Sequence, residues 1–220
     1  MKHITIFPSL ISADILNLRK VIQSLESHCD GFHIDVMDWH FVPNLTWGPM
    51  FVNAFAQITP KPLFVHLMIE KPYEFLDLLT LRPIDTVSFH IEATKNIKLT
   101  TNRIIEKKWL ASIAINPKTP LSEIFPFLDT INSILLMSVD PGFSGQRFIK
   151  HSVDRLIELD NHRKQQKLSF EIVMDGGINK DNIQNLIQHG VDQVGIASGI
   201  FSHNNPIETL HTLYKIALFN

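Results

Sequence analysis

Hydrophobic positions along this chain follow two alternating rhythms. Short apolar runs rich in Ile, Val, Leu and Phe recur at residues 3–9, 31–37, 62–68, 86–90, 110–115, 132–138, 170–175 and 192–197. Runs of this length, bounded by Gly, Pro, Asn or Asp, predict β-strands. Between them lie segments whose apolar residues step by three and four, among them Asp14 to Ile22 and Asp154 to Lys167, the second with charge on its opposite face. Asp14, Lys71-Pro72, Thr119-Pro120, Asn179 and Asn205-Pro206 supply helix starts. Eight such strand and helix units in 220 residues, with no linker or low-complexity insert, predict a single α/β domain over residues 1–220, a (β/α)8 TIM barrel. A doubly wound open sheet is the alternative topology. It is disfavoured because no Gly-rich dinucleotide fingerprint follows a strand and because the chemically interesting residues come from many strands, not one switch point.

Composition narrows the function classes. With 45% hydrophobic residues and a net charge of −2, the chain has the makeup of a soluble globular protein with a substantial core. The absence of a dense Lys/Arg run speaks against nucleic acid as a partner. No apolar stretch approaches the ~18 residues of a membrane span and no leader with a cleavage site is visible, so a cytoplasmic protein is expected. A single cysteine, Cys29, excludes an internal disulfide, agrees with a reducing compartment, and is expected to pack at a helix end. Asn44-Leu45-Thr46 matches a glycosylation acceptor, which without a secretory signal is taken as coincidence.

The chemistry gathers in three of the strand runs. Gly31-Phe32-His33-Ile34-Asp35-Val36-Met37 places His33, Asp35 and Met37 on one face, and Leu63-Phe64-Val65-His66-Leu67-Met68 places His66 and Met68 on one face. The run from Phe170 ends on Asp175-Gly176-Gly177. A lone strand histidine is ordinarily a hydrogen-bonded core residue, and Asp before Gly-Gly is an ordinary turn former. Asp35 is harder to explain, being flanked by Ile34 and Val36 with no Lys or Arg in its run. Taken as a set, His33, Asp35, His66 and Asp175 offer two neutral imidazoles and two carboxylates, which matches one divalent cation. Zinc or ferrous iron suits such mixed ligation, with manganese and cobalt left open.

In a barrel these residues, with Ser9, His90 and Met137, fall toward strand C-terminal ends, the face where such folds carry chemistry. Glycine-bearing loops follow the last three strands: Pro141-Gly142-Phe143-Ser144-Gly145-Gln146, Gly176-Gly177 and Ala197-Ser198-Gly199. Their position predicts a phosphate held by backbone N–H groups.

Six segments stand out, in order and over nearly the whole chain: Pro8-Ser9-Leu10-Ile11-Ser12-Ala13-Asp14, His33-Ile34-Asp35-Val36-Met37-Asp38, His40-Phe41-Val42-Pro43-Asn44, His66-Leu67-Met68, the stretch from Met137 to Gln146, and Asp175-Gly176-Gly177. Together they resemble the ribulose-phosphate 3-epimerase family. The resemblance implies a (β/α)8 barrel of the pentose phosphate pathway that interconverts ribulose 5-phosphate and xylulose 5-phosphate. It further implies that His33, Asp35, His66 and Asp175 bind the metal and that Asp35 and Asp175 are also the acid/base pair. Ser9 and His66 would contact substrate. Gly142, Phe143, Ser144, Gly145, Gly176, Gly177, Ala197 and Ser198 would hold phosphate, and the family forms dimers or hexamers. Inversion at C3 needs a proton removed on one face and delivered on the other, with the cation stabilising an enediolate. Two readings stand for Met37, Met68 and Met137: a polarisable cap over the intermediate, or gap-filling core.

Three departures from the family pattern bear on this. Trp39 replaces a usual Gly and is expected either to reshape the pocket mouth or only to cover it, which leaves substrate length open. Ala197 replaces a usual Gly of the phosphate loop but keeps its N–H. Leu81-Arg82-Pro83-Ile84-Asp85 replaces a small-residue turn at the far end of the barrel and is expected to matter for stability. The alternatives are a 3-epimerase of a six-carbon ketose phosphate such as D-allulose 6-phosphate, and an inactive phosphosugar-binding barrel. A decarboxylase or aldolase would want a Lys beside the strand-end Asp, and residues 33–38 contain none.

Overall fold

The structure, a computed structural model, describes residues 4–218. Its strands are β1 (Thr5–Pro8), β2 (Phe32–Met37), β3 (Leu63–Met68), β4 (Thr86–His90), β5 (Leu110–Ile115), β6 (Ser133–Met137), β7 (Glu171–Asp175) and β8 (Gln193–Ile196). Each expected run contains one strand, shorter by a residue or so at some ends; His3, the expected start of the first, lies outside the described residues. All ladders are parallel, in the order β1-β8-β7-β6-β5-β4-β3-β2, and a bridge between Ser9 and His33 brings β1 back against β2. The sheet therefore curls into a nearly closed TIM barrel, which excludes the doubly wound alternative.

The gap between β1 and β2 has a local cause. Thr5 and Ser9 donate their N–H groups to Asp192 and Ile196 on the β8 side, so alternation turns residues 6 and 8 toward β2. Ile6 N–H goes to the Asp30 carboxylate at 2.9 Å and Pro8 has no N–H, so β1 offers β2 no regular ladder. Gly31 lets the chain pass here, since a Cβ on it would lie 2.2 Å from the Phe7 ring and 2.4 Å from the Pro62 carbonyl.

Outward-facing strand residues such as Ile34, Val65, Val87 and Ile134 form one large core with the surrounding helices, whereas Phe7, Phe64, Ala114, Leu135 and Val173 fill the barrel interior. The helices are α1 (Leu18–Leu25), α2 (Pro49–Ile58), α3 (Pro72–Phe75), α4 (Ile97–Glu106), α5 (Ser152–Gln166), α6 (Ile183–Gln188), α7 (Ser198–Phe201) and α8 (Pro206–Leu218). Four expectations need correcting. Asp14 caps a 3-10 turn, Ile15–Asn17, by accepting from Leu16 N–H, and the α-helix begins only at Leu18. The Thr119-Pro120 start leads to 3-10 turns, Leu121–Glu123 and Phe125–Thr130, because Pro126 withdraws an N–H where an α-helix would need it. Asn179 organises a turn through its side chain, and α6 starts after Asn182. Cys29 lies in the turn beyond α1, not at the helix end; it is buried, and burial pushes its thiol up to about 12, which suits packing and not reactivity.

One device repeats at the N-terminal rim. Asp30, Asp85, Asn132 and Asp192, standing just before β2, β4, β6 and β8, each accept with a side-chain oxygen the N–H of Ile6, Leu63, Ala111 or Ile172 at the start of the preceding strand. Asp85 also pairs with Arg82, whose guanidinium in turn donates to the carbonyls of Thr59 and Lys61. The unusual turn at residues 81–85 is thus a structural clasp at the end away from the chemistry. Replacing Asp85 with Ala strands a buried N–H and unpairs Arg82, and should lower unfolding free energy by about 2–4 kcal/mol while leaving kcat of the folded enzyme within twofold. Urea titration with a parallel activity assay checks both halves.

Candidate active site

Inside the barrel, register stacks polar side chains from neighbouring strands. Asp35 pairs with His66, and Met137 with Asp175, which in turn pairs with Gly195. Curling of the sheet then carries β7 across to face β2. His33 Nε2 lies 3.1 Å from Asp35 Oδ1 and 3.7 Å from Asp175 Oδ2; His66 Nδ1 lies 3.2 Å and 3.8 Å from the same two oxygens. One ligand atom from each of the four residues falls within 4.8 Å of the others. Four donors around an ion at ~2.0–2.1 Å would sit about 3.3 Å apart if tetrahedral, and the four measured spacings bracket that value. The donor set fits as well: with both carboxylates ionised and both imidazoles neutral, acceptor oxygens face ring nitrogens in a buried space, an arrangement that a divalent cation or shared protons must relieve.

Electrostatics drive the two carboxyls apart. Burial pushes Asp35 up, but the His33 and His66 rings outweigh it and hold the group well below the usual carboxylate range. Asp175 is raised to about 7 by burial, opposed by His33 and reinforced by the Asp35 charge. Burial drives His66 down to about 3, so its ring is neutral. Ser9 Oγ–H donates to Asp35 Oδ2 at 2.5 Å, which leaves Oδ1 for the histidine side, and Thr46 Oγ–H holds the Asp35 carbonyl. Ser138 does the same for the other aspartate by donating to the carbonyls of Asp175 and Gly176.

Above the cluster opens a pocket of about 480 Å³, including its mouth, lined by Ser9, Asp35, Met37, Met68, Met137 and Asp175 and by the loops after β6, β7 and β8. Gly142, Phe143, Ser144, Gly145, Gly176, Gly177, Ala197 and Ser198 all reach it, so every sequence-predicted site residue lines the pocket except His33 and His66, which are fully buried beneath it. The glycines have internal reasons too. Gly177 has φ +66 and a Cβ there would meet Phe148 N at 2.5 Å, so larger residues are excluded before any ligand arrives. Ala197 has φ −97, outside the left-handed region that favours glycine. Gly195 escaped the sequence reading; a Cβ on it would stand 3.0 Å from His33 Nδ1 and 3.1 Å from Asp175 Oδ1. A glycine inside an apolar strand is the signal that could have found it. Asn44 is also engaged, its amide donating to the Gly142 carbonyl at 2.7 Å and tying the loop after β2 to the loop after β6. Two residues of the glycosylation-like triplet, Asn44 and Thr46, thus brace the loop after β6 and the Asp35 backbone.

A family profile described as the Ribulose-phosphate 3 epimerase family matches residues 5–201. The chain belongs to the ribulose-phosphate 3-epimerase family. It is 36% identical over 204 residues to the ribulose-phosphate 3-epimerase of Bacillus subtilis, covering 92% of this chain and 94% of that protein. Identity to the Helicobacter pylori J99 enzyme of the same name is 38% over 194 residues, 88% of this chain and 89% of that one. Among solved structures, one of KGPDC from Streptococcus mutans superposes with TM-score 0.75 at 12% identity over the whole of both chains. The 3-hexulose-6-phosphate synthase of Salmonella typhimurium gives 0.67 at 13%, over 98% of this chain and 99% of that one. At such identities these two speak for the barrel alone. The family establishes the chain as an epimerase of carbohydrate metabolism, and no helix among the described residues is long and apolar enough to cross a membrane.

Trp39 does not line the pocket; it is 65% exposed and holds φ 65, a left-handed conformation that costs a bulky residue about 1 kcal/mol or more. Trp39→Gly should therefore raise the melting temperature slightly and leave the ratio of kcat/KM for five- and six-carbon ketose phosphates unchanged. A shift of that ratio toward the six-carbon substrate would show that the indole reaches the pocket after all.

Proposed function

We propose that this enzyme interconverts D-ribulose 5-phosphate and D-xylulose 5-phosphate by inverting C3, with Asp35 and Asp175 as the acid/base pair. The observation that carries the reading is the juxtaposition of two carboxyls in unequal surroundings on the floor of a single pocket, Asp35 ringed by His33, His66 and Ser9 and Asp175 partly open to the pocket. Such a pair divides into base and acid at neutral pH. One carboxylate takes the proton from C3 on one face of the substrate, the other delivers one on the opposite face, and the roles exchange in the reverse direction. Ser9 keeps Asp35 oriented through its hydrogen bond. Met37, Met68 and Met137 form the apolar wall that keeps water from the exposed carbanion.

His33, Asp35, His66 and Asp175 would hold one divalent cation, whose positive charge, when bound, offsets the negative charge developing on the substrate's ketone oxygen. The loops containing Gly142 to Gly145, Gly176 and Gly177, and Ala197 and Ser198 would take the phosphate through backbone N–H groups. The six-carbon reading gains no support from Trp39, which stands outside the pocket, and a barrel kept only for binding would not need both carboxyls on the pocket floor.

Asp35→Asn and Asp175→Asn should each cut kcat at least about a hundredfold, since each removes a proton-transfer group; the metal-free Asp175→Asn protein should melt no lower, because burial disfavours that charge, whereas Asp35→Asn should melt lower, because the histidines favour the charge it removes. Exhaustive chelation should abolish turnover of ribulose 5-phosphate and divalent metal restore it. In deuterated water, product should acquire solvent deuterium at C3, as read by NMR; full retention of the original hydrogen, once internal transfer is excluded by partial-conversion analysis, would rule out this chemistry.

Phosphate recognition is separately testable. Ser198→Ala should weaken binding by roughly 1–3 kcal/mol for a phosphorylated ketose and leave the unphosphorylated sugar unaffected. Equal losses for both would move the phosphate elsewhere in the pocket.

A further inference from the structure

The two histidines of the cluster are held differently. His33 stacks on Phe64 with centroids 5.2 Å apart and planes 9° from parallel, and its Nδ1 has no hydrogen-bond partner. His66 instead heads a buried chain. Its Nε2 lies 2.8 Å from Nε2 of His90, and His90 Nδ1 lies 3.2 Å from Oε2 of Glu92. The His66 and His90 rings have centroids 5.0 Å apart and planes 27° from parallel, so the two nitrogens meet edge to edge, as an N–H pointing at a ring lone pair requires.

The far end of this chain is anchored. Glu92 Oε1 accepts the Asn116 N–H at 2.9 Å and the Thr119 hydroxyl at 2.5 Å, and the carbonyls of those two residues are gripped by Arg155. Burial would raise the Glu92 carboxyl, but the bonds from His90, Thr119 and Asn116 hold it below the usual range, so it accepts and does not donate. His90 is fully buried and covered by the Phe41 ring at 4.8 Å.

We propose that His90 and Glu92 are positioning residues that fix the tautomer of His66, so that its Nδ1 lone pair faces Asp35 and Asp175. The proton order follows from the anchor. A carboxylate at Glu92 calls for a proton on His90 Nδ1, and a ring carrying that single proton presents Nε2 as an acceptor. His66 must then carry its own proton on Nε2, which leaves Nδ1 as the free donor atom for a cation. No such polarity is imposed on His33, so the chain makes His66 the oriented ligand of the pair. The inference rests on the divalent-cation reading given above.

Three proteins test it: native, His90→Leu, which removes the acceptor, and His90→Gln, whose amide oxygen can replace His90 Nε2. Affinity for Co²⁺ is measured by chelator competition, with the cobalt absorption band as a second signature and kcat as a third. The expected result is a loss of about 10- to 100-fold in Co²⁺ affinity for His90→Leu and recovery to within about threefold of native for His90→Gln. Native-like affinity in His90→Leu, or equal losses in both variants, would overturn the positioning role while leaving the metal reading intact. A native protein that takes up no Co²⁺ would overturn both. Ring ¹⁵N NMR of the native Zn²⁺-loaded protein needs no variant. It should show His66 protonated at Nε2, and protonation at Nδ1 would refute the proposal.

Discussion

Everything at the catalytic end depends on holding two carboxyl groups together inside an apolar barrel. A buried ionised carboxylate without compensation costs several kcal/mol, and a second one close by raises that cost. The protein meets this by surrounding Asp35 with His33, His66 and Ser9 and by leaving Asp175 partly open to the pocket, its side chain 14% exposed. The unequal surroundings are what separate the two groups into one that stays ionised and one poised near neutrality. The same electrostatic pressure that makes the cluster expensive would favour a positive ion among its four donor atoms.

The two ends of the barrel solve different problems. At the N-terminal rim, Asp30, Asp85, Asn132 and Asp192 satisfy strand N–H groups that no neighbouring carbonyl reaches, and Arg82 and Arg163 balance the charges of Asp85 and Asp192. Their appearance before every second strand gives the rim a fourfold rhythm. At the C-terminal rim, the loops after β2 and β6 are joined by Asn44 to Gly142, and the loops after β1 and β6 by the Ser12 and Ser144 hydroxyls. Polar groups there are arranged around a space, where those at the other rim are arranged around each other.

Substitutions relative to the family pattern sort along the same axis. The turn at residues 81–85 sits in the stabilising rim and exchanges small residues for an ion pair between half-buried Arg82 and buried Asp85. Ala197 sits in the pocket wall at a negative φ and is tolerated there. Trp39 carries backbone strain at the surface beside the mouth without lining the pocket.

The sequence by itself determined the strands, because runs buried on both faces must be continuously apolar and their ends must be marked by turn formers. It also singled out Asp35, because an Asp between Ile34 and Val36 has no local partner. The motif glycines were legible as loops but not for the right reason alone, since Gly176 and Gly177 are required by positive φ and by the approach of Val139 and Phe148. Helix starts were less legible where 3-10 turns compete, as at Asp14 and Pro120, because a cap or a proline marks the beginning of a turn without saying how far it propagates. Only the closed barrel decided the rest. Asp175 meets Asp35 because β7 and β2 face each other across an interior that no periodicity measures. A side chain at Gly195 would press on the His33 ring and Asp175, neighbours it acquires only in the barrel. The chain from Glu92 through His90 to His66 joins one strand end to the middle of the next, and such contacts are set by register and ring orientation, which exist only once the strands have paired.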